Sequence, residues 1–170
     1  MFINTISNSK RDTFKQCKLK YRYRYVERIA DYDSSNTDAL HFGSYIHKIF
    51  EDGVKSSELS QLEQLAEESK STYSFSSSYD KKIPICLKNF LRFNASLPEE
   101  GISEQHFDLE IADGITMNGY IDRIIRGKEG GYLVIDYKTS KREKSKVELY
   151  QDPQLKGYVY AISKLYEVPI

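Results

Sequence analysis

Two aspartates placed symmetrically about a turn constrain this chain more than any other feature. "ITMNGYIDRIIRG" reads as a strand that continues through "KEGG" into "GYLVIDYKTSK", where the β-branched run Leu133 to Ile135 has the marks of a second, buried strand. A hairpin turning about Glu129 sets Asp122 directly across from Asp136. Cross-strand neighbours have Cβ atoms about 5 Å apart. Two full charges at about 5 Å and an effective dielectric of 20 repel by about 3 kcal/mol. A bound divalent cation offsets such a cost, and carboxylate oxygens suit Mg²⁺ or Mn²⁺. Lys138 lies two residues beyond Asp136 and so on the same face, where it can stabilise a developing negative charge or orient an attacking water.

The rest of the chain reads as helices first and strands after. Ser7 or Ser9 caps a first helix in which Phe14, Cys17, Tyr21 and Tyr25 recur at helical spacing. "YRYRY" also alternates with period two, but the apolar spacing from Phe14 onward favours the helix. A second helix is expected over about Thr37 to Gly53. A third, over about Ser57 to Lys70, has Leu59, Leu62, Leu65 and Ala66 as its buried stripe. The Ser-rich "STYSFSSSYD" reads as a loop, and a fourth helix after Pro84 carries Leu87, Phe90 and Leu91. "QHFDLEIADG" pairs with the Asp122 strand through Asp113-Gly114, which completes a three-stranded meander. A last helix from about Asp152 has Leu155, Tyr158, Val159, Ile162 and Leu165 periodic, and "VPI" looks like a strand starting.

At 170 residues the chain is long enough for one domain with a sizeable core, helical over about 1–98 and sheet-bearing over about 103–170. The two cysteines, Cys17 and Cys86, are too few for a disulfide framework or a four-thiolate metal site, which favours a reduced, intracellular protein. No segment approaches the roughly 20 apolar residues of a membrane span, so a soluble, cytoplasmic protein is expected. The net charge of zero excludes a global field toward nucleic acid but hides two poles. Residues 1–28 hold eight basic side chains against two acids, whereas 51–68 hold six acids against Lys55. A second basic run, "KREKSK", spans 141–146.

Further polar residues sit where helices should face a core or a pocket. "GSYIHKIFE" puts Gly43, His47 and Glu51 on one helix face, with Gly43 allowing a close approach to a neighbour. Gln154 and Tyr158 stand one turn apart on the last helix. A lone histidine on an apolar face is more often a hydrogen-bonded structural residue than a ligand, and Asp-x-Lys alone is a common chance pattern.

Together, "FKQCKLKYRYRY", "GSYIH", "GYIDRI", "VIDYKTSK" and "QLKGY" resemble, in order, the motifs of the RecB-like, CRISPR-associated-exonuclease-like branch of the PD-(D/E)XK nucleases. The resemblance implies an α/β (α+β) restriction-endonuclease-like core, a mixed central sheet flanked by helices. It implies His47, Asp122, Asp136 and the main-chain carbonyl of Tyr137 as ligands of Mg²⁺ or Mn²⁺, with Lys138 as the catalytic lysine. Gln154 and Tyr158 match its Gln-x-x-x-Tyr motif beside the site, and Glu110 falls where members often place another acid. Iron–sulfur members need three cysteines after that motif, and no cysteine follows Cys86, so no cluster is expected and Cys17 is expected to pack in the first helix. The family's sheet continues beyond the last helix, so this chain is either a fragment or closes its sheet differently.

The expected activity is metal-dependent hydrolysis of DNA phosphodiester bonds, as an exonuclease on single strands or duplex ends, in recombination, repair or phage replication. Lys10, Arg11, Lys18, Lys20, Arg22, Arg24 and Lys141 are the expected phosphate contacts, and the tyrosines among them could stack on unpaired bases. The alternatives are an inactive DNA-binding module of the same fold and a site- or structure-specific endonuclease. Whether the chain works within an oligomer or a larger repair complex is open, and no membrane partner is expected.

Overall fold

The computed structural model describes residues 4–29, 37–98, 101–140 and 142–169. A short strand β1 (Thr5–Ile6) precedes α1 (Asn8–Gln16), α2 (Lys18–Tyr21) and a π-helical turn (Arg22–Val26). Helices α3 (Thr37–Asp52), α4 (Leu59–Lys70) and α5 (Ile83–Asn94) follow, with a 3₁₀ helix (Ser77–Lys82) before α5. Then come β2 (Ile102–Ala112), β3 (Ile115–Arg126), β4 (Tyr132–Ile135), α6 (Lys146–Gln151) and α7 (Pro153–Leu165). The four strands make a mixed α/β fold: β1 is parallel to β3, β4 is antiparallel to it, and β2 also borders β3.

The chain divides into two compact units, one of residues 1–32, 105–121 and 142–170, the other of 33–104 and 122–141. In the first, Thr5 and Ile6 pair with Thr116 and Met117, and the Thr116 N–H donates to Asn4 O at 2.8 Å. That strand was not expected, because two residues carry no periodicity to read. Ser7 is the N-cap of α1, its hydroxyl accepting from the Lys10 N–H. The helical reading of "YRYRY" holds, but the helix is not continuous. It breaks at Cys17, which ends α1 in an extended conformation and caps α2 through its sulfur. Cys17 is therefore exposed at a junction rather than packed. The stripe survives as ring contacts, Phe14 to Tyr21 at 5.2 Å and Tyr21 to Tyr25 at 5.3 Å.

Among the described residues of this unit, Phe107, Ile121, Tyr158, Ala161 and Ile162 are the buried apolar ones. Phe107 meets Tyr158 edge-on. The last helix starts where expected, with Asp152 as its N-cap, but Val159 and Leu165 of the expected stripe are exposed. Helix α6 was not expected as a separate element. A reciprocal cap between Ser145 and Glu148 starts it, and Asp152, which caps the next helix, ends it. Val168 and Pro169 form no strand, and Ile170 lies outside the described residues.

The second unit has its core between α3, α4 and α5, with Phe42, Tyr45, Ile46, Ile49, Leu62, Leu87 and Phe90 all nearly inaccessible. Of the expected α4 stripe, Leu62 and Ala66 are buried and Leu59 and Leu65 half-buried. The Ser-rich stretch is only partly a loop. Tyr73, Phe75 and Tyr79 fold against the core, and residues from Ser77 turn into the 3₁₀ helix. In the β3–β4 hairpin Arg123 pairs with Ile135 and Arg126 with Tyr132, so the register centred on Glu129 is the observed one. Gly101, at φ +73, enters β2 so tightly that an added Cβ would stand 2.2 Å from the Ile124 carbonyl oxygen.

Gly101→Ala is therefore expected to cost more than about 2 kcal/mol, seen as a lowered thermal midpoint. Gly114→Asn, also left-handed (φ +67) but in open space, should leave the midpoint nearly unchanged.

Candidate active site

The β3–β4 ladder ends at Arg123↔Ile135, one step short of the two aspartates. Beyond it the chain stays closed by a different bond: the Tyr137 N–H donates to Asp122 Oδ2 at 2.6 Å. Asp122 also faces His47, whose Nδ1 stands 3.5 Å from the same oxygen. Lys138 answers Asp136, with Nζ 2.6 and 2.8 Å from its two oxygens. Each acid of the opposed pair thus has its own partner, a main-chain N–H and a histidine for one and an ammonium for the other.

Tyr137 is held by its ring as well as its backbone. Phe50 of α3 and Phe90 of α5 stack on each other at 4.3 Å, and both meet the tyrosine edge-on. Arg123, 1% exposed, reaches the Tyr137 hydroxyl at 3.4 Å and Asn94 Oδ1 at 2.6 Å. Asn94 in turn donates to the Val54 and Ser56 carbonyls, so a polar contact inside the core ties α5, β3 and the segment after β4 together.

The electrostatics follow from this crowding. Burial pushes the Asp136 carboxyl above the usual carboxylate range, Lys138 pulls it back, and nearby Asp122 adds to the rise. Burial acts to lower His47, but the hydrogen bond and charge of Asp122 outweigh it, so the imidazole rises above its ordinary value.

Glu104 is the residue that sequence reasoning missed. A ligand atom from each of His47, Glu104 and Asp122 lies within 4.8 Å of the others. Its carboxyl is raised by burial and by the charges of Asp122 and Glu51. Glu104 stands just before the stretch from Gln105 whose strand pattern is readable, and its backbone at φ +50 is not that of an extended strand residue. The acid expected from sequence in this strand, Glu110, is instead exposed at the hairpin end, where its carboxylate accepts from the Gly114 N–H. His47, Glu104 and Asp122 line a cavity of about 510 Å³ with Gly43, Glu51 and Thr139. A Cβ on Gly43 would meet the Thr139 hydroxyl at 3.8 Å, ordinary contact, so the close approach expected there is not required.

In the other unit, the Gln154 amide donates to the Tyr158 hydroxyl at 2.7 Å, as their one-turn spacing allows. Several expected phosphate contacts are engaged locally: Lys10 with Thr5, Arg11 with Asp12 and Arg22 with Glu27. Lys18 and Arg24 lie over the rings of Phe14 and Tyr25, and Lys20 follows the break at Cys17. In the second basic run Arg142 pairs with Glu148 and Lys144 with Asp152, while Lys141 lies outside the described residues.

No described helix is long and apolar enough to cross a membrane. A family model described as the PD-(D/E)XK nuclease superfamily matches residues 5–169. Among curated proteins, an ATP-dependent helicase/deoxyribonuclease subunit of Streptococcus agalactiae is 31% identical over 183 aligned positions, covering 96% of this chain and 17% of the relative. The proteins of the same name from Streptococcus uberis and Streptococcus mutans are 27% and 25% identical, over 80% and 92% of this chain and 14% and 16% of their own lengths. The chain spans less than a fifth of the length of these relatives. No solved structure matches it at a significant level.

A glutamate held at φ +50 carries strain of about 1 kcal/mol or more, which asparagine tolerates better. Glu104→Asn should therefore melt higher than the parent in EDTA; a lower midpoint would show that the carboxylate supports the fold.

Proposed function

Because the chain belongs to the PD-(D/E)XK nuclease superfamily, we propose that it is a divalent-metal-dependent deoxyribonuclease, with Asp122, Asp136 and Lys138 at its catalytic centre. The observation that carries this reading is the opposed pair itself: Asp122 and Asp136 follow directly on the last rung of the β3–β4 ladder, with His47 and Glu104 beside one acid and Lys138 on the other. Like charges kept this close need an electrostatic reason.

The donor set, carboxylate oxygens with one imidazole, fits a hard or borderline divalent cation, and three of the donors are mutually within 4.8 Å. His47, Asp122, Asp136, the Tyr137 carbonyl and Glu104 would hold Mg²⁺ or Mn²⁺. When bound, such an ion polarises the attacking water and takes up charge on the departing oxygen. The chain's own groups do the rest. The Tyr137 N–H fixes the Asp122 carboxylate, and the aromatic packing around Tyr137 fixes the Asp136–Lys138 segment. Lys138, with its side chain 44% exposed, is accessible to a phosphate and supplies positive charge as the phosphorus gains its fifth oxygen.

We further assign exonucleolytic action on single strands or duplex ends, in DNA recombination, repair or phage replication within the cytoplasm. The name of the relatives, a helicase/deoxyribonuclease subunit, supports work within a larger assembly. Lys18, Lys20 and Arg24 remain the candidate phosphate contacts of the first unit, and Gln154 and Tyr158 the pair that touches the substrate strand.

The direct test is end-labelled single- and double-stranded DNA incubated with Mg²⁺, Mn²⁺ or EDTA: products only with metal support the reading, and intact DNA under every condition overturns it. Calorimetric titration with Mn²⁺ should show a site that Asp122→Asn weakens at least about tenfold. Equal binding by parent and variant would misplace it. Lys138→Ala should cut the hydrolysis rate by roughly 100-fold while the thermal midpoint holds. An active variant would make Lys138 only the ion-pair partner of Asp136.

A further inference from the structure

A second cavity meets the active site at Lys138 and Thr139 and has no role in the chemistry above. It measures about 210 Å³ and runs from Tyr137 and Phe90 along α5 to Asn89 and Phe93. Thr139 lines both this cavity and the larger one that holds His47 and Asp122. Cavities for drug-sized ligands run from about 300 Å³ upward, so this one suits a single ring system rather than a whole nucleotide.

Its outer wall has an unusual composition for a helix surface. Phe93 is 41% exposed although the core of this unit lies one turn away at Phe90. On α5 Asn89 stands one turn before Phe93, the exposed Lys88 and Arg92 stand one turn apart on the adjoining face, with Arg92 reaching the Asn89 amide oxygen at 3.4 Å, and the helix contains no acidic residue. An uncovered aromatic ring with Lys138 in the same cavity and cations on the adjoining helix face is an arrangement that suits single-stranded nucleic acid: the cations take the phosphates and the ring takes the face of a base. The contrast with α4, which holds Glu63, Glu67 and Glu68, is sharp, since that surface would repel a phosphate backbone.

We propose that this cavity is a subsite for one nucleobase of the strand being cut, stacked on Phe93, with its own phosphates held by Lys88 and Arg92 and the neighbouring scissile phosphate at Lys138. The proposal rests on the nuclease reading only for which phosphate is cut. A base held beside the bond fixes the reacting phosphate relative to Lys138, which is the positioning that catalysis of phosphoryl transfer needs. It also selects unpaired over paired DNA at this step, because a base inside a duplex cannot present its face to a protein ring.

The test uses single-stranded 12-mers in which one position at a time is replaced by an abasic tetrahydrofuran unit. Affinity is measured by fluorescence anisotropy in Ca²⁺, and cleavage in Mg²⁺ or Mn²⁺. For the parent, one abasic position next to the cut bond should weaken binding and slow cleavage by about tenfold or more, the size of one base–aromatic stack. Phe93→Ala should lose the same factor on the intact strand and lose nothing further on the abasic one, whereas Phe93→Trp should restore the parent's preference. Phe93 is partly exposed, so both variants should fold, and equal thermal midpoints would confirm it. An abasic penalty that persists unchanged in Phe93→Ala, or the absence of any penalty in the parent, overturns the subsite. Binding that follows this pattern without cleavage in either metal would instead overturn the nuclease reading and leave the base subsite standing.

Discussion

One hydrogen bond outside the regular ladder organises the site: the Tyr137 N–H donating to the Asp122 carboxylate. A hairpin whose last rung is Arg123↔Ile135 should splay where two acids follow, because nothing there rewards the strands for staying together. The main-chain donor supplies that reward across the strands, while Lys138, on the same segment as Asp136, offsets that acid's charge without tying the strands together. The Tyr137 side chain makes the arrangement durable, since Phe50, Phe90 and Arg123 hold its ring and hydroxyl from three elements. Charged groups gather here because the surrounding core is rigid enough to forbid the chain from moving them apart.

The polar contact at Arg123 makes the same point from the opposite face of β3. An arginine 1% exposed is expensive to bury, and it survives only with partners of good geometry. Asn94 is one, and by also capping the Val54 and Ser56 carbonyls it joins the end of α5 to the turn after α3. His47 rides on α3, so where that helix lies decides whether the imidazole reaches Asp122. Fold and site are thus stabilised by shared contacts, and Tyr137 belongs to both.

Glu104 shows the reverse economy. Its backbone is placed where a glutamate is uncomfortable and its carboxyl where two other acids raise its proton affinity. Neither feature helps the fold. Both fall on the acid that stands with His47 and Asp122 in the proposed metal site.

Much of this was legible in the linear chain. The register about Glu129, the opposition of Asp122 to Asp136, the cap at Ser7, the start of the last helix near Asp152 and the helices through His47 and Phe90 follow from local chemistry: turn residues, two-residue and 3.6-residue periods, and side chains that cap their own helix. What tertiary structure decided are the features that depend on distant groups or on a broken period. β1 needs the edge of β3, more than a hundred residues on, to exist at all. The break at Cys17 exposes a residue that the continuous stripe would have buried. Glu104, rather than the Glu110 that the family resemblance suggested, stands beside His47 and Asp122, and its left-handed backbone is set by its surroundings rather than by any pattern in the chain. Which acids face each other needs only a turn and a count, so it is written in the chain; which further groups join them depends on long-range packing, which no local pattern encodes.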